Sequence, residues 1–261
     1  MAIISHSTDL SLAPTVTPLV RQGDGTLRTA LEQLATAGFA AVQLDATFSG
    51  TRPRDLDQRA RKDLLALLMR RSLRPAGIDL WIPRQDYLDS ARIDRAMGAT
   101  LAAIKLGADL GRLPLSLPLP VADLAEDAKA ALLEAADGHG VALAVHAEDQ
   151  IEALANWIDE LTLPALGAAV DPAILLAGKY DVSAAVGTLG NRLLVARLSD
   201  YRFSEAQRCP VGTGQLDLLA YRVALDLGRG RRGPVVLDLR GLNDPLPVAA
   251  AAAIAWQKAT F

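Results

Sequence analysis

One rhythm limits what this chain can fold into. Short apolar runs alternate with helix-patterned segments along nearly its whole length, and no linker or charge block interrupts them. In the second half, four of these runs end in, or are built around, a reactive polar group. Val141–Val145 leads to His146 and Leu166–Val170 to Asp171. Leu193–Ala196 leads to Arg197, and Val235–Leu239 encloses Asp238 and leads to Arg240. Near-continuous apolar runs mark strands buried on both faces of a parallel sheet. When such strands alternate with helices, their C-terminal ends gather at one mouth. The four polar groups are therefore expected to face one pocket.

Leu27, Leu31 and Leu34 share one face of a helix predicted over Thr26–Ala37, with Gly38 as its stop. Phe39–Asp45 follows as a strand. Helix patterns cover Asp55–Ser72 and Asp89–Leu110, with a strand at Ala76–Ile82 between them. Three prolines between Leu113 and Pro120 argue against a central strand, so Leu115–Leu117 reads as a short, irregular one. Further helices are expected at Ala122–Gly138, Asp149–Leu161, Ala173–Leu176, Val182–Leu189, Gln215–Leu227 and Pro247–Lys258. An initial strand near Leu10–Val16 brings the strand–helix units to eight. This predicts an α/β fold in one domain over residues 1–261, a closed (β/α)8 barrel. The length of 261 residues suits a barrel of ~250. No Gly-x-Gly-x-x-Gly follows an early strand, which weakens a dinucleotide-binding reading.

A net charge of −3 gives no nucleic-acid footprint. The excess of arginine (22) over lysine (5) fits a GC-rich genome. No basic, apolar leader opens the chain, and the apolar stretch Val248–Trp256 is too short to span a bilayer. Cys209 is the lone cysteine, so no internal disulfide can form. A bacterial-type cytoplasm is the expected compartment.

Each polar strand end has two readings. Asp171, before Pro172, either caps the next helix or serves a site, and the two roles can coexist. Asp238 and Arg240 lie two apart on one face, as an internal ion pair or as ligand-binding groups. Arg197 suits a carboxylate, a phosphate or a neighbouring aspartate. His146 could ligate a metal, carry a proton or only hydrogen-bond. Asp45 and Asp79 add polar groups to the same mouth, and Asp200 could orient Arg197 or cap the loop after its strand. His139 reads as a turn residue and His6 as terminal. Glu148 and Asp149 read as the start of the next helix. The loop Val211-Gly212-Thr213-Gly214-Gln215-Leu216-Asp217 could offer N–H groups to an anion.

Gly38–Asp45, Gly140–His146, Gly167–Leu175, Arg192–Asp200, Val211–Asp217 and Gly233–Asp238 together resemble the xylose-isomerase-like TIM barrels, the sugar phosphate isomerase/epimerase superfamily. Val211–Asp217 matches the family's Val-Gly-x-Gly-x-x-Asp-like loop. The resemblance implies a (β/α)8 TIM barrel whose usual members hold a divalent metal through Glu, Asp, His and Glu at four strand ends. Here those positions carry His146, Asp171, Arg197 and Asp238, so one of the four is kept. An obligate cation repels a metal. Two unit charges 4 Å apart interact by about 4 kcal/mol at an effective dielectric of ~20, and a divalent ion doubles this.

The expectation is therefore no cofactor, with Arg197 in the metal's place, paired with Asp171 and Asp238 or facing an anionic ligand. The alternative is a metal on His146, Asp171 and Asp238. The function implied is a divergent sugar isomerase or epimerase acting on a small, sugar-like hydroxy-carbonyl compound. Asp171 or Asp238 would be the base and His146 the acid. Arg197, Arg240, Asp45 and Asp79 would bind substrate. A non-catalytic barrel that binds a metabolite or partner is the other reading. A metal-dependent nuclease is disfavoured by the three histidines and the acidic balance. Homodimer formation stays open, and no membrane partner is expected.

Overall fold

The structure, a computed structural model, describes residues 11–22, 25–228 and 233–259. His6 and the start of the expected first strand lie outside them. In chain order the elements are β1 (Leu12–Pro14), α1 (Thr17–Arg21), α2 (Leu27–Thr36), β2 (Ala41–Asp45), α3 (Gln58–Arg70), β3 (Arg74–Asp79), α4 (Ile93–Asp109), β4 (Leu115–Pro118), α5 (Glu126–His139) and β5 (Leu143–His146). They continue with α6 (Ile151–Leu161), β6 (Leu166–Val170), α7 (Pro172–Ala177), α8 (Val182–Leu189), β7 (Leu193–Leu198), β8 (Asp200–Arg202), β9 (Gln207–Cys209), α9 (Leu218–Gly228), β10 (Val235–Leu237) and α10 (Pro245–Lys258).

Eight parallel strands run in the order β1-β10-β7-β6-β5-β4-β3-β2. A parallel bridge from Thr15 to Gln43 brings β1 back to β2, and Val16 N–H donates to the Gln43 carbonyl at 3.1 Å. The result is a (β/α)8 barrel with helices around it. Local chemistry sets several helix starts. Thr26 accepts from Thr29 N–H, Asp57 from Ala60 N–H and Asp181 from Ala184 N–H. The Asp57 cap explains why α3 begins at Gln58 and not at Asp55.

Two sequence expectations need correction. The proline-rich segment forms β4, a regular barrel strand between β3 and β5. Pro114 precedes it and Pro118 is its last residue, beyond the Ile78–Leu115 and Asp79–Ser116 pairs with β3. The Pro114 carbonyl accepts from Ile78 N–H, and Leu115 N–H donates to the Ala142 carbonyl. His139 closes α5, and Gly140, at φ 63°, supplies the turn.

Period-two alternation divides each strand between two cores. Leu143, Val145, Ala168, Val170, Ala196 and Leu237 point outward into the large apolar layer under the helices. Ala144, Ala169, Val195 and Val236 form a separate small cluster. Residues two further along each strand are His146, Asp171, Arg197 and Asp238. Alternation therefore stacks the polar groups as the next layer toward the C-terminal mouth, over a floor of small apolar side chains.

Candidate functional site

Arg197 is fully buried and sits among carboxylates. Its Nη2 donates to Asp79, and its Nη1 lies 3.1 Å from Asp238 Oδ2. The Trp81 ring lies 4.8 Å from its guanidinium carbon. Asp79 also accepts from Gln43 Nε2 at 2.8 Å. This corrects the expected pairing of Arg197 with Asp171. Asp171 is taken instead by Arg208, at 2.5 Å, and by Arg240, at 3.2 Å. Arg208 lies on β9 of the small β8–β9 hairpin, an antiparallel insertion after β7. It also reaches Asp238, at 3.2 Å. Arg240 Nε lies 2.9 and 3.0 Å from the two Asp238 oxygens, and its Nη2 also donates to Asp238.

The centre is thus a closed set of three aspartates (Asp79, Asp171, Asp238) and three arginines (Arg197, Arg208, Arg240), with formal charges that cancel. Burial pushes the Asp171 carboxyl up, and the Asp238 charge adds to that. Arg208, Arg240 and Arg197 outweigh both and hold it at about 2. Burial also raises Asp238, but Arg240, Arg208 and Arg197 bring it well below the usual carboxylate range. Burial works against the Arg240 cation, yet Asp238 and Asp171 raise its affinity for the proton. Asp171 keeps its second expected role. It caps α7 at Ala173 N–H (3.1 Å) while accepting from Ser199 Oγ at 2.6 Å.

His146 stands beside this set, with its ring centre 5.3 Å from that of Trp81. Both of its nitrogens are engaged. Nδ1 lies 2.7 Å from Glu148 Oε1, and Nε2 lies 2.9 Å from Ser116 Oγ. An ionised carboxylate only accepts, so Nδ1 carries the proton toward Glu148. Glu148 was expected at a helix start. It is buried on the loop before α6 and orients the imidazole. Glu148→Ala would strand a buried N–H, and a loss of about 1–2 kcal/mol is expected in thermal unfolding. Imidazole nitrogen shifts should show the Nδ1-protonated form becoming less dominant.

The glycine loop also differs from expectation. Gly212 N–H and Gly214 N–H donate to Asp200 Oδ2, at 3.0 and 2.9 Å, and Leu216 N–H donates to Oδ1 at 2.9 Å. The loop's anion is Asp200 itself, which folds the segment after β9 and does not orient Arg197.

Open space lies to one side of the axis. A cavity of about 550 Å³ is lined by Thr17, Arg21, Gln22, Asp45, Thr47, Trp81, Arg240 and Asn243, among others. Asp45 faces it with both oxygens engaged. Thr47 N–H and Oγ donate to Oδ1, and Thr17 Oγ donates to Oδ2 at 3.2 Å. Arg240 belongs both to the ion set and to the cavity wall. Its guanidinium stacks 3.6 Å from the Trp81 ring centre, and its bonds use Nε and Nη2, leaving Nη1 uncommitted.

The structure therefore divides the residues expected from sequence. Asp79, Asp171, Arg197, Asp238 and His146 are gathered and buried beneath the mouth. Arg240 and Asp45 reach the cavity. Arg208, Trp81, Ser116 and Ser199 escaped the sequence reading, since none ends an apolar run.

The donor set does not suit a metal. Each carboxylate of the centre is spent on a guanidinium, and among the described residues no group of three or more His, Cys, Asp or Glu is arranged to hold an ion. Nor, among them, is any helix long and apolar enough to cross a membrane.

A family model described as xylose isomerase-like TIM barrel matches residues 31–260. No curated protein sequence matches the chain. Solved structures share its fold at low identity. D-psicose 3-epimerase with D-tagatose from Clostridium cellulolyticum H10 superposes with TM-score 0.74 at 13% identity, covering 95% of this chain and 99% of that one. D-allulose 3-epimerase from Methylomonas sp. in complex with D-allulose gives 0.69 at 19%, covering 97% of each. A xylose isomerase-like TIM barrel protein from Mycobacterium smegmatis in complex with magnesium gives 0.71 at 15%, covering 96% of each.

Proposed function

We propose that this chain, which belongs to the xylose isomerase-like TIM barrel family, binds a small sugar-like hydroxy-carbonyl compound in the off-axis cavity and isomerises it without a metal. The observation that carries this reading is Arg240. It is held rigidly by Asp238, Asp171 and Trp81, yet keeps one N–H edge free at a cavity that also holds a carboxylate.

In the proposed step Asp45 removes a proton from the carbon beside the carbonyl. The C–H electron pair becomes the enediolate double bond, and the carbonyl oxygen takes the negative charge. The free edge of Arg240 stabilises that oxyanion, a preorganised donor aimed at developing charge. Asp45 then returns its proton to the neighbouring carbon while a hydroxyl proton moves between the two oxygens. One accessible carboxylate suits such a 1,2-shift. Proton transfer by Asp171, Asp238 or His146 would first require Arg208, Arg240 or the Glu148 contact to let go; Asp45 is held by no cation, and its Oδ2 accepts only from Thr17, at 3.2 Å, which leaves it a lone pair. Asp171 and Asp238 are proposed as positioning residues for Arg240, and Arg197 with Asp79 as their support. Relatives solved with D-tagatose and D-allulose support a sugar-like ligand.

Incubation with aldoses, ketoses and keto acids in D2O tests the reading, with carbon-bound deuterium followed by NMR. Exchange is expected for at least one compound and should vanish in Asp45→Asn. It should be unchanged by EDTA or by added Mg2+ or Mn2+, and clear stimulation by either ion would refute the metal-free step. The self-neutralised centre favours a second reading, a barrel that binds without turnover. Thermal stabilisation by a sugar with no exchange in any form would select it.

A further inference from the structure

We propose that Arg21 is the anchor for an anionic group, so that the cavity takes a sugar acid or a sugar phosphate and not a neutral sugar. This rests on the reading that a sugar-like ligand occupies that cavity. Arg21 closes α1 and lines the cavity together with Gln22 and Asn243. Its guanidinium carbon lies 5.9 Å from the Phe48 ring centre. At that distance the ring attracts the cation but takes none of its N–H donors.

Among the described residues no carboxylate lies within ion-pair distance of Arg21, so its charge is available at the cavity wall. The acid in the cavity wall, Asp45, is held by Thr17 and Thr47. Apart from Asp45 and the neutral centre beneath, the lining offers donors. Arg21 offers a planar fork, Asn243 offers an amide and Arg240 offers Nη1, while Gln22 Nε2 donates to Asp244 Oδ1 at 3.3 Å. A planar fork matches the paired oxygens of a carboxylate or a phosphate. The ligand implied has an oxyanion at the Arg21 end and a hydroxy-carbonyl group between Asp45 and Arg240.

Calorimetric titration with D-ribose, D-ribonate and D-ribose 5-phosphate tests this on one carbon skeleton. At least one anion should bind about tenfold or more tightly than D-ribose, as a charge-assisted pair provides. The anion that gains identifies carboxylate or phosphate. Arg21→Gln should erase the gain of the anion over D-ribose measured on the same variant, while Arg21→Lys should keep part of it. If D-ribose binds as tightly as both anions, or Arg21→Gln keeps the gain, the anion anchor is overturned and the sugar site stands. If none of the three binds, both readings fall.

Discussion

Arg197→Met should destabilise the barrel by about 3–5 kcal/mol, because it breaks a buried ion set by removing one partner. The readout is a lower urea midpoint at an unchanged slope. Methionine fills similar space but carries no charge. Asp79, whose ion pair is with Arg197, would then keep a buried negative charge with the Gln43 amide as its side-chain donor and Arg240 acting on it only at longer range. Asp238 would lose one of three guanidiniums. The charge balance, and not the packing, is what fails. Asp79→Asn in the same chain should therefore recover about 1–3 kcal/mol, since it removes the stranded charge. If Arg197→Met costs less than about 1 kcal/mol, or Asp79→Asn makes it worse, the centre is not the balanced ion set described above.

Acid should undo the same centre over a defined window. Asp171 binds its proton at about 2 in the fold, against 3.8 for the free side chain. Because the folded value is depressed, the unfolded chain takes up the proton first as pH falls. The stability from ionised Asp171 is complete well above 3.8 and drains away as pH drops toward 2. That difference is worth about 2 kcal/mol. Asp238 is shifted in the same direction and adds to the loss. Stability from chemical denaturation should stay level, as far as these two groups are concerned, from neutral pH to about 5, then fall steeply to about pH 2. Asp171→Asn should be less stable at neutral pH and show a shallower acid slope. An equal slope in wild type and variant would show that Asp171 is not held ionised by its arginines.

Much of the barrel could be read from local pattern. The sequence pattern predicts the helix at Val182–Leu189 to the residue, and β5, β6 and β7 within two residues, because buried parallel strands and amphipathic helices write their periods directly into the chain. β4 is regular where the pattern predicts an irregular strand, because proline suggests a missing donor. Whether a donor is needed depends on register, and Pro114 precedes the strand while Pro118 lies beyond its pairs with β3. Glu148 looked like a helix start because acidic residues favour that place. Two more loop residues before α6 put it against His146 instead. The Asp200 loop illustrates the same limit. Its glycines announce free N–H groups, but only the fold shows that a carboxylate within the chain has taken them.

The polar layer itself was determined by sequence. His146, Asp171, Arg197 and Asp238 each follow a small apolar residue by two positions, and strand alternation sends both to one face whatever the rest of the chain does. The pairing of Asp238 with Arg240, two along its strand, and with Arg197 is also legible in the sequence, but the other partners were decided by tertiary structure. Asp79 meets Arg197 across 118 residues, and Arg208 arrives from a hairpin 37 residues beyond Asp171. Ionic attraction acts through space. Its partners are fixed only when the barrel has closed and the loops above it have chosen their paths, and those same paths leave the open cavity beside Arg240 and Asp45.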